Sequence, residues 1–451
     1  MRIRICDAGA VGDGKTKNTD VIQNAIDCCT QNGGGTVFID HGTYVCGTIY
    51  MKSNVTLEID ASAVLLASPD IEDYGKDTHH NRYRNETDID RCWIFACDQS
   101  NFAIKGMGEL NGNAEAFPND GDIHRPMMLR FLRCSNIHLE GVRLYNAAAW
   151  TTAFLDSSYI WVSKVNIQNE KRYNGDGLDF DGCSHVYVDS CYIKGTDDNI
   201  CLQSSGREYV TEDFHISNCT LTSVCAGIRI GLKSIGQIRN VTINNCTLEN
   251  IWREGIKIEC TEGGDISNIV VSNLIMRNVS RPVYALLNNR FCPDDLGSSV
   301  ELMEMPEIGT MRRLLFTNLL IEDEEEMKNT HYRFENDIMG SPRFNGIRFD
   351  AEENHKIEDV TLQNIRYTTV GGVKRSDIPP TYPQVLDQKK YPGDETSSNY
   401  YPDWSRVSHM DIRNVENLYM ANIGLRKLYD DERPEFLLEG CSILKQEIMA
   451  G

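Results

Sequence analysis

Four short lines between Asn174 and Glu259 carry the side chains best suited to chemistry. They read Asp176-Gly-Leu178-Asp179-Phe180, Asp198-Asn-Ile200-Cys201-Leu202, Ala226-Gly-Ile228-Arg229-Ile230 and Glu254-Gly-Ile256-Lys257-Ile258. Each has apolar residues at its third and fifth places and mostly polar ones at its first and fourth, the alternation of a strand with one buried and one free face. Paired as neighbouring parallel strands, equivalent places lie about 4.8 Å apart. The first places then stack Asp, Asp, Ala and Glu, and the fourth stack Asp, Cys, Arg and Lys. Crowded carboxylates cost stability through like-charge repulsion, which marks this surface as a place for chemistry. Asp176, Asp197 and Asp198 supply three carboxyls, and repulsion is expected to keep at least one protonated near neutrality. A protonated carboxyl to donate and an ionised one to activate water or attack is what cleavage of a glycosidic bond requires.

The residues around these acids have two readings each. Arg229 and Lys257 are candidate sugar or carboxylate contacts, or simply neutralise nearby acids. Glu254 and Glu259 extend the acidic ladder as candidate binding residues. Asp179 and Asp181 divide between substrate hydrogen bonding and solvation. Trp150, one coil before Asp176, either lines a sugar site or packs under a loop. For the acids themselves the bland alternative is a solvated sheet face or capping of turn amides. The chemical rival is a calcium-dependent lyase, with Arg229 or Lys257 as the base. Zinc-type His/Cys spacing, a phosphate loop and a Gly-x-Ser-x-Gly elbow are all missing, so no metal site or cofactor is assigned.

A repeat sets the elements that must position these residues. The runs IHLEGVRL, IWVSKVNI, VYVDSCYI, FHISNCTL, VTINNCTL and IVVSNLIM begin at Ile137, Ile160, Val186, Phe214, Val241 and Ile269. LLFTNLLI at Leu314 and VTLQNIRY at Val360 continue the series at wider steps, so loops are inserted before each. Asn218, Asn245, Asn273, Asn318, Asn364 and Asn414 recur at one repeat position, where stacked asparagines can bond coil to coil. Coils this short, rich in β-branched residues, exclude helical repeats and are too brief for propeller blades. The expected fold is all-β, a single-stranded right-handed parallel β-helix over residues 1–451. Residues 1–35 form its N-terminal cap, with a helix from Asn18 to Asn32 that Asn18 or Thr19 can cap. Inserted loops are expected at 281–312, 322–355 and 368–408. Tyr391, Tyr400, Tyr401 and Trp404 in the last read as a sugar-stacking wall or a subunit contact, which leaves a homo-oligomer open.

Composition narrows the partners. Forty-five Lys+Arg against 66 Asp+Glu give a net charge of −21, which argues against nucleic acid, anionic membranes and long polyanions. No stretch approaches the roughly 20 apolar residues of a membrane span. The 16 cysteines show no disulfide spacing and several fall in strand-like runs, where thiols behave as small hydrophobes. With no signal-peptide pattern at Met1, the expected compartment is the cytoplasm.

Several of these motifs together resemble glycoside hydrolase family 28, the polygalacturonases, and more loosely the pectate-lyase-like β-helix superfamily. Asp7 to Gly14 (DAGAVGDG), Gly33 to Ile39, Gly42 to Tyr44 and Gly47 to Leu57 look like the family's N-terminal region. Asn174-Gly175-Asp176-Gly177 stands where the family has Asn-Thr-Asp-Gly, and Gly195-Thr-Asp197-Asp198-Asn199 where it has a Gly-Asp-Asp motif. The resemblance implies that Asp197 is the general acid, that Asp176 and Asp198 position water, that Asn174 contacts substrate, and that the anomeric carbon inverts. A spacing of one coil is by itself nearer the separation of retaining enzymes. Two departures stand out: the family's Gly-His-Gly is Cys225-Ala226-Gly227, and its Arg-x-Lys falls on Lys257-Ile258-Glu259. Arg229, one coil earlier, is the candidate replacement for the lost carboxylate grip. The leading reading is exo-acting hydrolysis of short pectic or related oligosaccharides; the alternatives are a uronate lyase or epimerase on the same fold, or a non-catalytic glycan-binding β-helix.

Overall fold

The computed structural model describes residues 1–78, 82, 89–118, 124–289, 301–325, 346–377 and 405–450, with the short pieces 333–334 and 337–338. Tyr391, Tyr400, Tyr401 and Trp404 lie outside the described residues. The fold is the expected all-β right-handed parallel β-helix. Contacts group the chain into two compact units. The first comprises Met1–Asn81, Glu86–Asn199 and Asp213–Cys219, and the second Arg82–Asn85, Ile200–Glu212 and Thr220–Gly451.

In the first unit each coil contributes three short strands. One column runs through Cys92–Cys97, Met127–Leu132, Thr152–Leu155 and Leu178–Asp181. A second stacks Ser100–Gly106, Ser135–Glu140, Ser158–Ser163 and Ser184–Asp189. A third holds Glu109–Asn111, Arg143–Tyr145, Asn166–Gln168 and Tyr192–Gly195. Because the coils stack without offset, like residues meet like inside. Phe131, Phe154 and Phe180 form a column with ring centroids 5.5 and 4.9 Å apart, Phe102 of the second strand column meets Phe131 edge-on at 5.1 Å, and all four are buried.

The capping helix spans Thr19–Gln31 and buries Ile22, Ala25, Ile26 and Cys29 on one face. Asn18 sits at the N-cap but its side chain does not cap the helix. Its amide is spent instead on the preceding loop, accepting from Val11 N at 2.7 Å and donating to Thr16 O at 2.6 Å. Thr19 is diverted likewise, its hydroxyl accepting from Gly47 N.

The second unit uses the same in-register rule. Val271 pairs with Phe316 and Phe316 with Leu362. The asparagine stack is present from Asn273 onward: Asn318 donates to Asn273 at 2.8 Å, Asn364 to Asn318 at 2.9 Å and Asn422 to Asn364 at 2.8 Å, whereas Asn218 in the first unit donates to Asp189 Oδ1 at 2.6 Å. All four members of the stack have φ between 54° and 57°, a left-handed turn that asparagine tolerates. Asn422 thus takes the place expected of Asn414, which bonds to Ala351 O instead. Strands also reach into the expected loops. Arg281 to Leu287 belong to the strand Asp265–Leu287, Thr310–Glu322 and Ile347–Ala351 are strands, and Thr368 to Gly371 close the strand Ile357–Gly371. The inserted segments are therefore shorter than the repeat spacing indicates.

Phe154 has a ring on each side in the core column. Phe154→Ala is expected to cost about 3–5 kcal/mol, read as a lowered urea midpoint at unchanged m-value.

Candidate active site

The Asn-Gly-Asp-Gly turn that carries Asp176 leads directly into the strand Leu178–Asp181, and the Gly-Thr-Asp-Asp turn follows Tyr192–Gly195. Two backbone bonds fix one turn over the other: Gly177 N donates to Asp198 O at 3.0 Å and Leu178 N to Asn199 O at 2.9 Å. They set Asp176 and Asp198 at equivalent places, about one strand spacing apart. So close an approach explains the glycine at 177, where a Cβ would overlap Asn199 O. Asn169 braces the turn from below, donating to Thr151 Oγ1 at 2.7 Å and Gly175 O at 3.2 Å. The Thr196 hydroxyl accepts from Gly175 N at 3.0 Å and donates to Arg172 O at 2.6 Å.

Within this scaffold the three aspartates differ in access. Asp176 is 6% exposed and Asp198 2%, whereas Asp197 is half-buried. Asp197 Oδ1 accepts from Asp198 N at 2.9 Å, and its Oδ2 lies 3.5 Å from Asn174 Nδ2. Asn174 is itself held by Arg125, which donates to Asn174 Oδ1 at 2.9 Å. The first unit therefore brings Asn174, Asp176, Asp197 and Asp198 together.

The free face expected on these lines is not free. Asp179, Asp181 and Trp150 are buried in the first unit, and Arg229, Glu254, Lys257 and Glu259 in the second. Trp150 follows the bend at Ala148 and Ala149 and is buried, so the packed reading is the one the structure favours over an open sugar wall. The reading of Asp179 and Asp181 as solvated residues gives way for the same reason.

The four charged residues of the second unit form one buried network. Strand register sets Arg229 beside Lys257 and Lys257 beside Tyr284. Arg229 Nε donates to Glu259 Oε2 at 2.7 Å. Lys257 Nζ lies 3.6 Å from Glu259 and 3.7 Å from Glu254, and Arg281 lies 3.5 Å from Glu254. Burial pushes the Lys257 ammonium below its usual range, with the Arg229 charge adding to the effect and the two glutamates opposing it. Burial likewise pulls Arg281 down to about 10 against the pull of Glu254. An acid at position 259 is thus matched by a cation one coil earlier. Arg229 is buried and engaged with that glutamate through Nε, which is the neutralising one of its two readings.

Two participants escaped the sequence reading. Arg281 was legible: Arg281-Pro-Val283-Tyr284-Ala285 continues the four lines with the same alternation, and its first place pairs with Glu254. Arg125 gives no such signal, since it lies outside the repeat and 49 residues from Asn174.

Residues 29–299 match the family model described as Glycosyl hydrolases family 28. The chain belongs to this family. This family 28 chain is 26% identical over 284 residues to a probable polygalacturonase of Vitis vinifera, a match covering 56% of each. It is 24% identical over 249 residues to an exo-poly-alpha-D-galacturonosidase of Dickeya chrysanthemi, covering 44% of this chain and 41% of the relative. The family 28 match thus spans little more than half the length of the curated relatives, or less. A solved family 28 exopolygalacturonase of Yersinia enterocolitica shares its fold, with TM-score 0.69 at 19% identity over 98% of this chain and 78% of that one. Where the family has Gly-His-Gly, this member has Ala226, which is buried beside Cys225.

Removing one partner of a buried ion pair strands the other charge. Glu259→Ala is expected to destabilise the protein by about 3–5 kcal/mol, whereas Glu140→Ala on the exposed surface should change stability by less than about 0.5 kcal/mol; chemical denaturation of both variants checks this.

Proposed function

We propose that this protein is an exo-acting, polygalacturonase-like glycoside hydrolase that trims short pectic or related oligosaccharides by acid/base hydrolysis with inversion. The observation that carries the reading is the stacked pair Asp176 and Asp198, joined through the Gly177 and Leu178 backbone bonds, with the more open Asp197 beside them. In this reading Asp197 gives its proton to the glycosidic oxygen as the bond to the anomeric carbon breaks. Asp176 and Asp198 orient a water and take up its proton as its oxygen bonds to that carbon. The greater exposure of Asp197 suits a group that must reach a leaving oxygen. The names of the Vitis and Dickeya relatives support the pectic substrate class, and the Dickeya name supports exo action.

The lyase alternative needs an accessible base at Arg229 or Lys257. Lys257 has no exposed surface and Arg229 is bonded to Glu259, so hydrolysis is the better-supported reading. The fifteen described cysteines are all free thiols, which fits work in a reducing compartment such as the cytoplasm.

Asp197→Asn should lower kcat roughly 10²–10⁴-fold while melting temperature and ligand affinity stay close to the parent. The measurement is reducing-end release from a panel of pectic oligosaccharides, with aryl glycosides alongside. Undiminished turnover by this variant, or an unsaturated uronate product from the parent, would overturn the assignment.

A further inference from the structure

We propose that Arg125 is a positioning residue for the hydrolytic reaction, acting on Asp197 through the Asn174 amide; this rests on the hydrolase reading above. The Arg125 guanidinium is buried. It donates to Tyr173 O at 2.9 Å, to Ala148 O at 3.4 Å and to Asn174 Oδ1 at 2.9 Å. It thereby ties the residue before Asn174, the bend before Trp150 and the Asn174 side chain to one rigid group.

The chemistry of the donor sets the direction of the relay. A guanidinium only donates, so the Asn174 carbonyl oxygen must face Arg125 and the amide nitrogen must face away. That nitrogen is the atom 3.5 Å from Asp197 Oδ2. A side-chain amide has two orientations of nearly equal shape, and only this one presents a donor to Asp197. With Asp198 N on Oδ1, each oxygen of the carboxyl has an assigned donor and its plane is set. As Asp197 surrenders its proton it becomes a carboxylate, and a donor already aimed at it stabilises charge that develops in the transition state. Among the described residues of this unit, Asp176 and Asp198 oppose the ionisation of Asp197, and Arg125 favours it through the amide. Arg172 is turned elsewhere, to the carbonyls of Phe117 and Glu115.

The test compares Arg125→Lys, Asn174→Leu and the double variant by kcat, KM, the pH profile of kcat/KM and melting temperature, using the best substrate of the oligosaccharide panel. Each single change is expected to lower kcat about 10²-fold, with KM within about twofold for Arg125→Lys. The basic limb of the profile should move to higher pH, because the ionised form of Asp197 loses its donor. The double variant should be no slower than Asn174→Leu alone, since both act through one contact. Arg125→Lys at parental kcat with an unmoved limb, or losses that multiply in the double variant, would overturn the relay. Asn174→Leu leaves Arg125 in place, so parental kcat there overturns it even if Arg125→Lys does not fold. An active Asp197→Asn variant would instead overturn the hydrolase reading; an inactive one beside an unaffected Arg125→Lys overturns the relay alone.

Discussion

Stacking without offset is the constraint on which everything else depends. Each residue of a coil sits over its equivalent in the next, about 4.8 Å away, so every side chain must be acceptable to its own kind or be complemented there. Phenylalanines satisfy this by forming a column of rings, and asparagines by passing an amide hydrogen bond along the stack. Charged residues cannot satisfy it by repetition. Where an acid repeats, the fold must hold the pair together by other means.

At Asp176 and Asp198 those means are backbone bonds and close packing of glycines. The turn carrying Asp176 is anchored by its neighbours' amides and carbonyls, by the Asn169 brace and by the Thr196 hydroxyl. None of these contacts depends on the ionisation of the aspartates. The cost of crowding carboxyls is therefore met by the frame. Rigid support of this kind matters for hydrolysis, where small displacements of a reacting group are costly.

In the second unit complementarity is achieved by alternation of sign. Arg229, Lys257, Glu254, Glu259 and Arg281 are all withdrawn from solvent, and their pairings run both across and along the strands. A family position that carries a cation holds Glu259 here, and a cation appears one coil earlier at Arg229. Removing one member would strand the others, because a buried charge tolerates a changed partner far better than a missing one. Arg229 itself is bonded through Nε at 2.7 Å to Glu259.

The sequence by itself determined the β-helix and its capping helix, and it placed Asp176 and Asp198 at equivalent places, because a stacked fold writes its geometry into the spacing of its repeats. The 23- to 28-residue steps from Ile137 to Ile269 and the alternation within each line were enough, and Arg281 was readable by extending the same alignment. Tertiary structure alone decided which faces are buried, since alternation separates two faces without saying whether other parts of the chain cover the second. That is why the alternation left Trp150, Lys257 and Glu259 open between binding and packing, and burial shows them enclosed. It also decided the partners that break the repeat: Asn18 bonded to a loop rather than capping its helix, Asn422 in place of Asn414, and Arg125 behind Asn174. Contacts between a repeat and a segment outside it have no period, so no spacing in the sequence can announce them.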